Sequence, residues 1–155
     1  MAKAALGKPV PAFKLQATSG KTITEKDLTG KNTVLYFYPK DDTPGCTQEG
    51  QDFRDEIKQF VKLNTQVIGV SRDTVKSHES FKAKYDFPFE LLSDPDETLC
   101  TVFDVMQMKN MYGKQVRGVE RSTFLIDSKG VLRREWRKVK VQDHVNEVLA
   151  AVTEL

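Results

Sequence analysis

Cysteine is scarce in this chain: Cys46 and Cys100 are the only two among 155 residues. That excludes a disulfide-stapled scaffold, and a chain of this length buries an ordinary core as one domain over 1–155 without staples. Cysteines that the architecture does not need fit a reducing compartment, so the cytoplasm is the expected location. Histidine is equally rare. His78 and His144 stand far apart, with no Cys or His companions at ligand spacing, so no metal is expected. His78 reads as an exposed or half-buried helix residue. Glycine-rich phosphate loops are missing too, since Gly69 and Gly113 stand alone, and no cofactor is expected.

Long hydrophobic runs are also absent. No stretch approaches the roughly 20 apolar residues that span a bilayer. Residues 1–9 lack the apolar region of a secretory signal, so none is expected. Charge of one sign is not in excess either: 24 Lys and Arg against 22 Asp and Glu leave a formal charge of +2. This argues against nucleic acid or a membrane surface as the main partner. The densest basic run, Arg133-Arg134-Glu135-Trp136-Arg137-Lys138, alternates in character and reads as a strand with one wet face.

What is present is a regular alternation of strand and helix patterns. A plausible hairpin flanks Thr18-Ser19-Gly20. A strand over 33–37 is followed by a helix over 44–63, whose Phe53, Ile57, Phe60 and Val61 mark one buried face. Next come a strand over 66–70, a helix over 74–85 and a short strand over 89–92. A helix over 94–103 carries Pro95 near its first turn. Residues 106–117 show no clean period and read as a loop. Strands over 122–127 and 131–136 form a hairpin, and a helix over 142–155 buries Val145, Val148, Leu149 and Val152. The order predicts an α/β fold with a mixed central sheet flanked by helices.

Within that order Cys46 is singular. It follows the apolar strand, in Tyr38-Pro39-Lys40-Asp41-Asp42-Thr43-Pro44-Gly45-Cys46-Thr47-Gln48-Glu49, and enters the first turn of a helix. Unpaired N–H groups and the positive end of the helix dipole favour an anion there. Thiols so placed ionise more readily than free cysteine, and the thiolate is the nucleophile.

Pro39, Thr43 and Cys46 reproduce the P-x-x-x-[ST]-x-x-C signature of peroxiredoxins. The tighter string around them resembles the bacterioferritin comigratory protein branch, also called peroxiredoxin Q. Leu91-Leu92-Ser93-Asp94 and Arg121-Ser122-Thr123-Phe124-Leu125-Ile126 extend the likeness over essentially the whole chain. The resemblance implies a thioredoxin-like fold with an N-terminal hairpin extension. It also implies a thiol peroxidase for hydrogen peroxide and alkyl hydroperoxides. Cys46 would attack one peroxide oxygen and become a sulfenic acid. Thr43 can accept from a backbone N–H at the helix start and donate to peroxide or thiolate. Pro39, lacking an N–H, can shield the thiolate. Arg121 matches the family arginine that contacts both thiolate and peroxide, and Glu49 can orient it.

The chain departs from the branch at its second sulfur. Many members carry a resolving cysteine five residues after the first, where Gln51 stands; others carry it in the following helix, near Lys82. The sulfenic acid is therefore expected to react with an external thiol (thioredoxin, glutaredoxin or glutathione) or with Cys100, which otherwise reads as a packed core residue. A peroxide sensor passing Cys46 oxidation to a partner protein needs the same activated thiol and stays open as an alternative. A dithiol oxidoreductase is disfavoured, because Glu49 stands where Cys-x-x-Cys needs its second sulfur. The branch implies a monomer.

Overall fold

The computed structural model describes residues 2–155. The chain opens with a small antiparallel hairpin, β1 (Lys14–Gln16) against β2 (Thr22–Thr24), and a single 3-10 turn. There follow β3 (Asn32–Phe37), α1 (Pro44–Asp55), α2 (Ile57–Lys62), β4 (Thr65–Ser71), α3 (Val75–Tyr85), β5 (Glu90–Ser93) and α4 (Thr98–Val102). A second hairpin, β6 (Met106–Met111) and β7 (Lys114–Val119), precedes β8 (Ser122–Ile126), β9 (Leu132–Trp136) and α5 (His144–Val152). The central sheet runs β5-β4-β3-β8-β9. Its first three strands are parallel, β8 runs antiparallel to β3, and β9 runs antiparallel to β8 and so in the direction of the first three. This is the thioredoxin-like order expected from the sequence. No helix among the described residues is long and apolar enough to cross a membrane.

Every residue of β3 after Asn32 is buried, because both faces of the sheet are covered. Alternate side chains feed two separate cores. Val34, Tyr36 and Tyr38 join Phe53, Phe60, Phe81, Val145 and Val148 beneath α1, α2, α3 and α5. Leu35 and Phe37 join Val10, Phe13, Leu99, Phe103 and Phe124 on the opposite face. Cys46 belongs to the first core and Cys100 to the second, so the sheet separates the two sulfurs.

Four expectations need correction. The helix expected over 44–63 is broken at Glu56, whose backbone (φ −105°, ψ 8°) leaves the helical region. The break resets the helical phase: Phe60 stays buried, but Val61 turns outward and is 65% exposed. The helix expected from Asp94 begins only at Thr98, after Glu97 adopts a left-handed conformation (φ 59°). Pro95 therefore lies outside it. Residues 106–117 are not a loop but most of a β-ribbon, turned by Tyr112 and Gly113, both at positive φ (53° and 80°), as two-residue hairpin turns require. Finally, His78 is neither exposed nor half-buried: it is fully enclosed.

Candidate active site

The apolar run of β3 ends at Tyr38, and the chain then crosses a short loop to α1. Thr43 is the N-cap residue in an extended conformation (φ −99°, ψ 156°), and Pro44 takes the first helical position, where its missing N–H leaves no orphan. Cys46 lies one residue further into this first turn than Gly45 and is 2% exposed. Thr43 does not cap the helix with its side chain. Its hydroxyl instead donates to the Lys40 carbonyl at 2.9 Å. The expectation that Thr43 accepts from a helix N–H is thus corrected: its one proton is committed to the loop, and its lone pairs remain free. The amides of Gly45 and Cys46 keep the unpaired character of a helix start. Pro39 is half-buried where the loop leaves β3.

Arg121, immediately before β8, brings its guanidinium into contact with this turn. Nη2 donates to Cys46 Sγ at 3.4 Å, and Nη1 donates to Glu49 Oε1 at 2.7 Å. The planar fork reaches sulfur and carboxylate at once, which a lysine ammonium would do less well. Gly45 makes room for it: a Cβ there would sit 3.1 Å from Nη2. Glu49, one helical turn beyond Cys46, is fully buried. Burial lifts its carboxyl to about 7, while Arg121 pulls the other way. Its second oxygen, Oε2, has no hydrogen-bond partner. Cys46 and Glu49 on α1 and the sequence-distant Arg121 form one compact unit; Thr43 and Pro39 stand on the loop beside it.

Cys100 has no comparable company. It is fully buried, and its thiol is pushed well up by burial first and by neighbouring Asp94 second. A protonated thiol in an apolar core is a poor nucleophile.

Two residues, Asp41 and Lys109, went unnoticed in the sequence, and His78 was misread. Asp41 and His78 form a buried pair, with Nδ1 2.7 Å from Oδ2. The available signal was the spacing of His78 and Phe81, which share the buried side of α3. Lys109, on β6, donates to the Val119 carbonyl, two residues before Arg121. Its ammonium is pulled down by burial and by Arg121. A cavity of about 800 Å³ lies among β2, α2, β4 and β5, lined in part by Ile57, Val61 and Gln66, and includes none of the residues around Cys46.

Comparison with known proteins points the same way. The profile of the AhpC/TSA family matches residues 6–135. Peroxiredoxin Bcp of Xanthomonas campestris is 51% identical over 98% of this chain and 96% of its own length. Peroxiredoxin Bcp of Bacillus subtilis is 48% identical, over 97% and 96%. A solved structure of the Xanthomonas campestris bacterioferritin comigratory protein, from work on its alkyl peroxide reduction activity, superposes with a TM-score of 0.87 at 51% identity. It covers 92% of this chain and 90% of that one.

Proposed function

The chain belongs to the AhpC/TSA family, in its bacterioferritin comigratory protein or peroxiredoxin Q branch, and is a thiol-dependent hydroperoxide reductase; from that premise we propose that Cys46 is the attacking sulfur. The Cys46 thiolate approaches one oxygen of the hydroperoxide along the O–O axis. A sulfur–oxygen bond forms as the O–O bond breaks. The bonding pair leaves with the second oxygen, which takes up a proton and departs as water or an alcohol. The sulfur is oxidised to a sulfenic acid and the peroxide is reduced.

Each neighbour has a part. Arg121 holds sulfur and peroxide oxygen with one fixed cation, and Glu49 anchors that cation from behind. The amides of Gly45 and Cys46 receive charge as it develops on oxygen. Thr43 offers lone pairs to the peroxide O–H, and Pro39 helps keep water from the sulfur. The observation that carries this reading is the Arg121 fork, touching a buried sulfur at a helix start with one nitrogen and a buried carboxylate with the other.

Hydrogen peroxide and alkyl hydroperoxides are the substrates in this reading. The alkyl peroxide reduction named for the Xanthomonas campestris protein supports the second class. Regeneration uses one cysteine. An external thiol (of thioredoxin, glutaredoxin or glutathione) condenses with the sulfenic acid, releasing water. A second thiol then displaces Cys46 and leaves as a disulfide. Gln51 and Lys82 at the usual resolver positions, and a sheet between Cys46 and Cys100, support this route. The protein acts in this reading as a cytoplasmic monomer.

Intact mass after one equivalent of hydrogen peroxide, under non-reducing conditions, tests the scheme. Wild type and Cys100→Ser are expected to gain one oxygen, and Cys46→Ser none. Loss of two hydrogens in wild type alone would instead make Cys100 the resolver. An unchanged mass in wild type would overturn the assignment of Cys46.

A further inference from the structure

The loop that leads to Cys46 is tied to the rest of the fold by one buried carboxylate. Asp41, between Pro39 and Thr43, is 7% exposed. Its Oδ1 accepts from the Tyr38 hydroxyl at 2.6 Å. Its Oδ2 accepts from the Ser77 hydroxyl at 2.8 Å and faces His78 Nδ1 at 2.7 Å. Its backbone N–H donates to Asp73 Oδ2 at 3.0 Å, and the same oxygen takes the Ser71 hydroxyl. The partners come from the end of β3, the end of β4 with the turn after it, and the first turn of α3.

His78 completes the attachment from the other side. Its Nε2 lies 2.9 Å from the Leu92 carbonyl of β5. Ser71 Oγ is farther away, at 3.5 Å, and its proton is already given to Asp73. A backbone carbonyl can only accept, so Nε2 carries a proton. The contact between Nδ1 and Asp41 holds a second proton between two atoms that would otherwise repel. Asp41 and His78 thus share two protons and carry no net charge together, in a place His78 shares with no solvent. Removing one partner strands a polar or charged group in the interior, which is strongly unfavourable. Asp42, next along the loop, also reaches α3 through Lys84 and Tyr85, but that attachment is exposed and screened by water.

We propose that Asp41 and His78 are positioning residues: they hold the loop against α3 and β5 so that it stays closed over Cys46. Neither touches sulfur or peroxide. The proposal rests on the reading of Cys46 as the reacting sulfur. A closed loop admits a small peroxide to an ordered pocket and keeps larger reagents out, so releasing it moves the two reactivities in opposite directions. Global destabilisation or a merely structural role would not do this at temperatures well below melting.

The test uses a Cys100→Ser background, leaving Cys46 as the only thiol. Reaction with hydrogen peroxide is followed by stopped flow, and labelling is followed with the bulky disulfide DTNB, alongside thermal melting. Asp41→Ala is expected to slow the peroxide reaction about tenfold and to speed DTNB labelling about tenfold. Asp41→Asn can donate to a neutral His78 and still accept from Tyr38, so it is expected to stay within about threefold on both. If Asp41→Ala melts below the assay temperature, His78→Gln carries the same two readouts with the same signs. Two reactivities that fall together, or both stay within about twofold in a folded variant, would overturn the latch. So would an Asp41→Asn as impaired as Asp41→Ala. Cys46→Ser run in parallel separates the premises: peroxide reduction surviving in it sinks the reading of Cys46, whatever the latch variants do.

Discussion

The two cysteines are almost equally enclosed, 2% exposed for Cys46 and 0% for Cys100, yet they stand in opposite chemical settings. Cys46 meets a helix start, a guanidinium and, through it, a carboxylate. Cys100 meets apolar side chains and the acidic Asp94, and its thiol is driven up by burial. Fractional exposure alone therefore does not tell these two sulfurs apart. What separates the two sulfurs is the set of groups that face each of them.

The sharpest way to break this contrast is to exchange each sulfur for oxygen. Cys46→Ser is expected to abolish thiol-dependent peroxide turnover down to the solution background, measured by peroxide loss in the presence of dithiothreitol. Removing the cation's geometry comes next. Arg121→Lys keeps a charge but loses the fork, and the second-order rate with hydrogen peroxide should fall about a hundredfold. Gly45→Ala tests the same contact from the other side. Its new Cβ presses on the guanidinium of Arg121, so the rate should fall about tenfold while the melting temperature barely moves.

Glu49 sharpens the comparison through pH. Its carboxyl titrates near 7 in the fold against 4.5 ordinarily, so the unfolded chain releases its proton first. Stability drawn from this group is thus full below about pH 4.5, falls as pH rises to about 7, and is level above, a total of roughly 3 kcal/mol. Glu49→Gln should flatten that slope in urea titrations between pH 5 and 8. The smallest effect belongs to Cys100→Ser. Peroxide turnover should stay within about twofold, while urea unfolding reports a loss of about 1 to 2 kcal/mol for a hydroxyl placed in an apolar core.

The sheet and the reactive turn were legible in the sequence for different reasons. β3, β4 and β8 are buried on both faces and wrote themselves as unbroken apolar runs. Cys46, Thr43 and Pro39 lie within a few residues of one another, so their grouping is local. Arg121 came only from the family likeness, since nothing nearby ties it to a helix start 75 residues away. The ribbon of β6 and β7 escaped notice because most of it is wet on both faces, and a strand without a dry side has no alternation to show. His78 was misread for the converse reason. Its enclosure depends on Asp41, 37 residues earlier, and a polar side chain buried by a distant partner leaves no periodic trace.

In the one-cysteine scheme proposed for Cys46, the position of the sheet between the two sulfurs sets a clock. With no second thiol on its own side, an oxidised molecule waits for a collision, and its mean dwell time varies inversely with the concentration of thiols around it. Where those thiols run low, the sulfenic acid persists long enough to meet another peroxide, and the next rung of sulfur oxidation does not readily reverse. In that scheme, peroxide removal is metered by the surrounding thiol pool, with an irreversible stop when that supply fails.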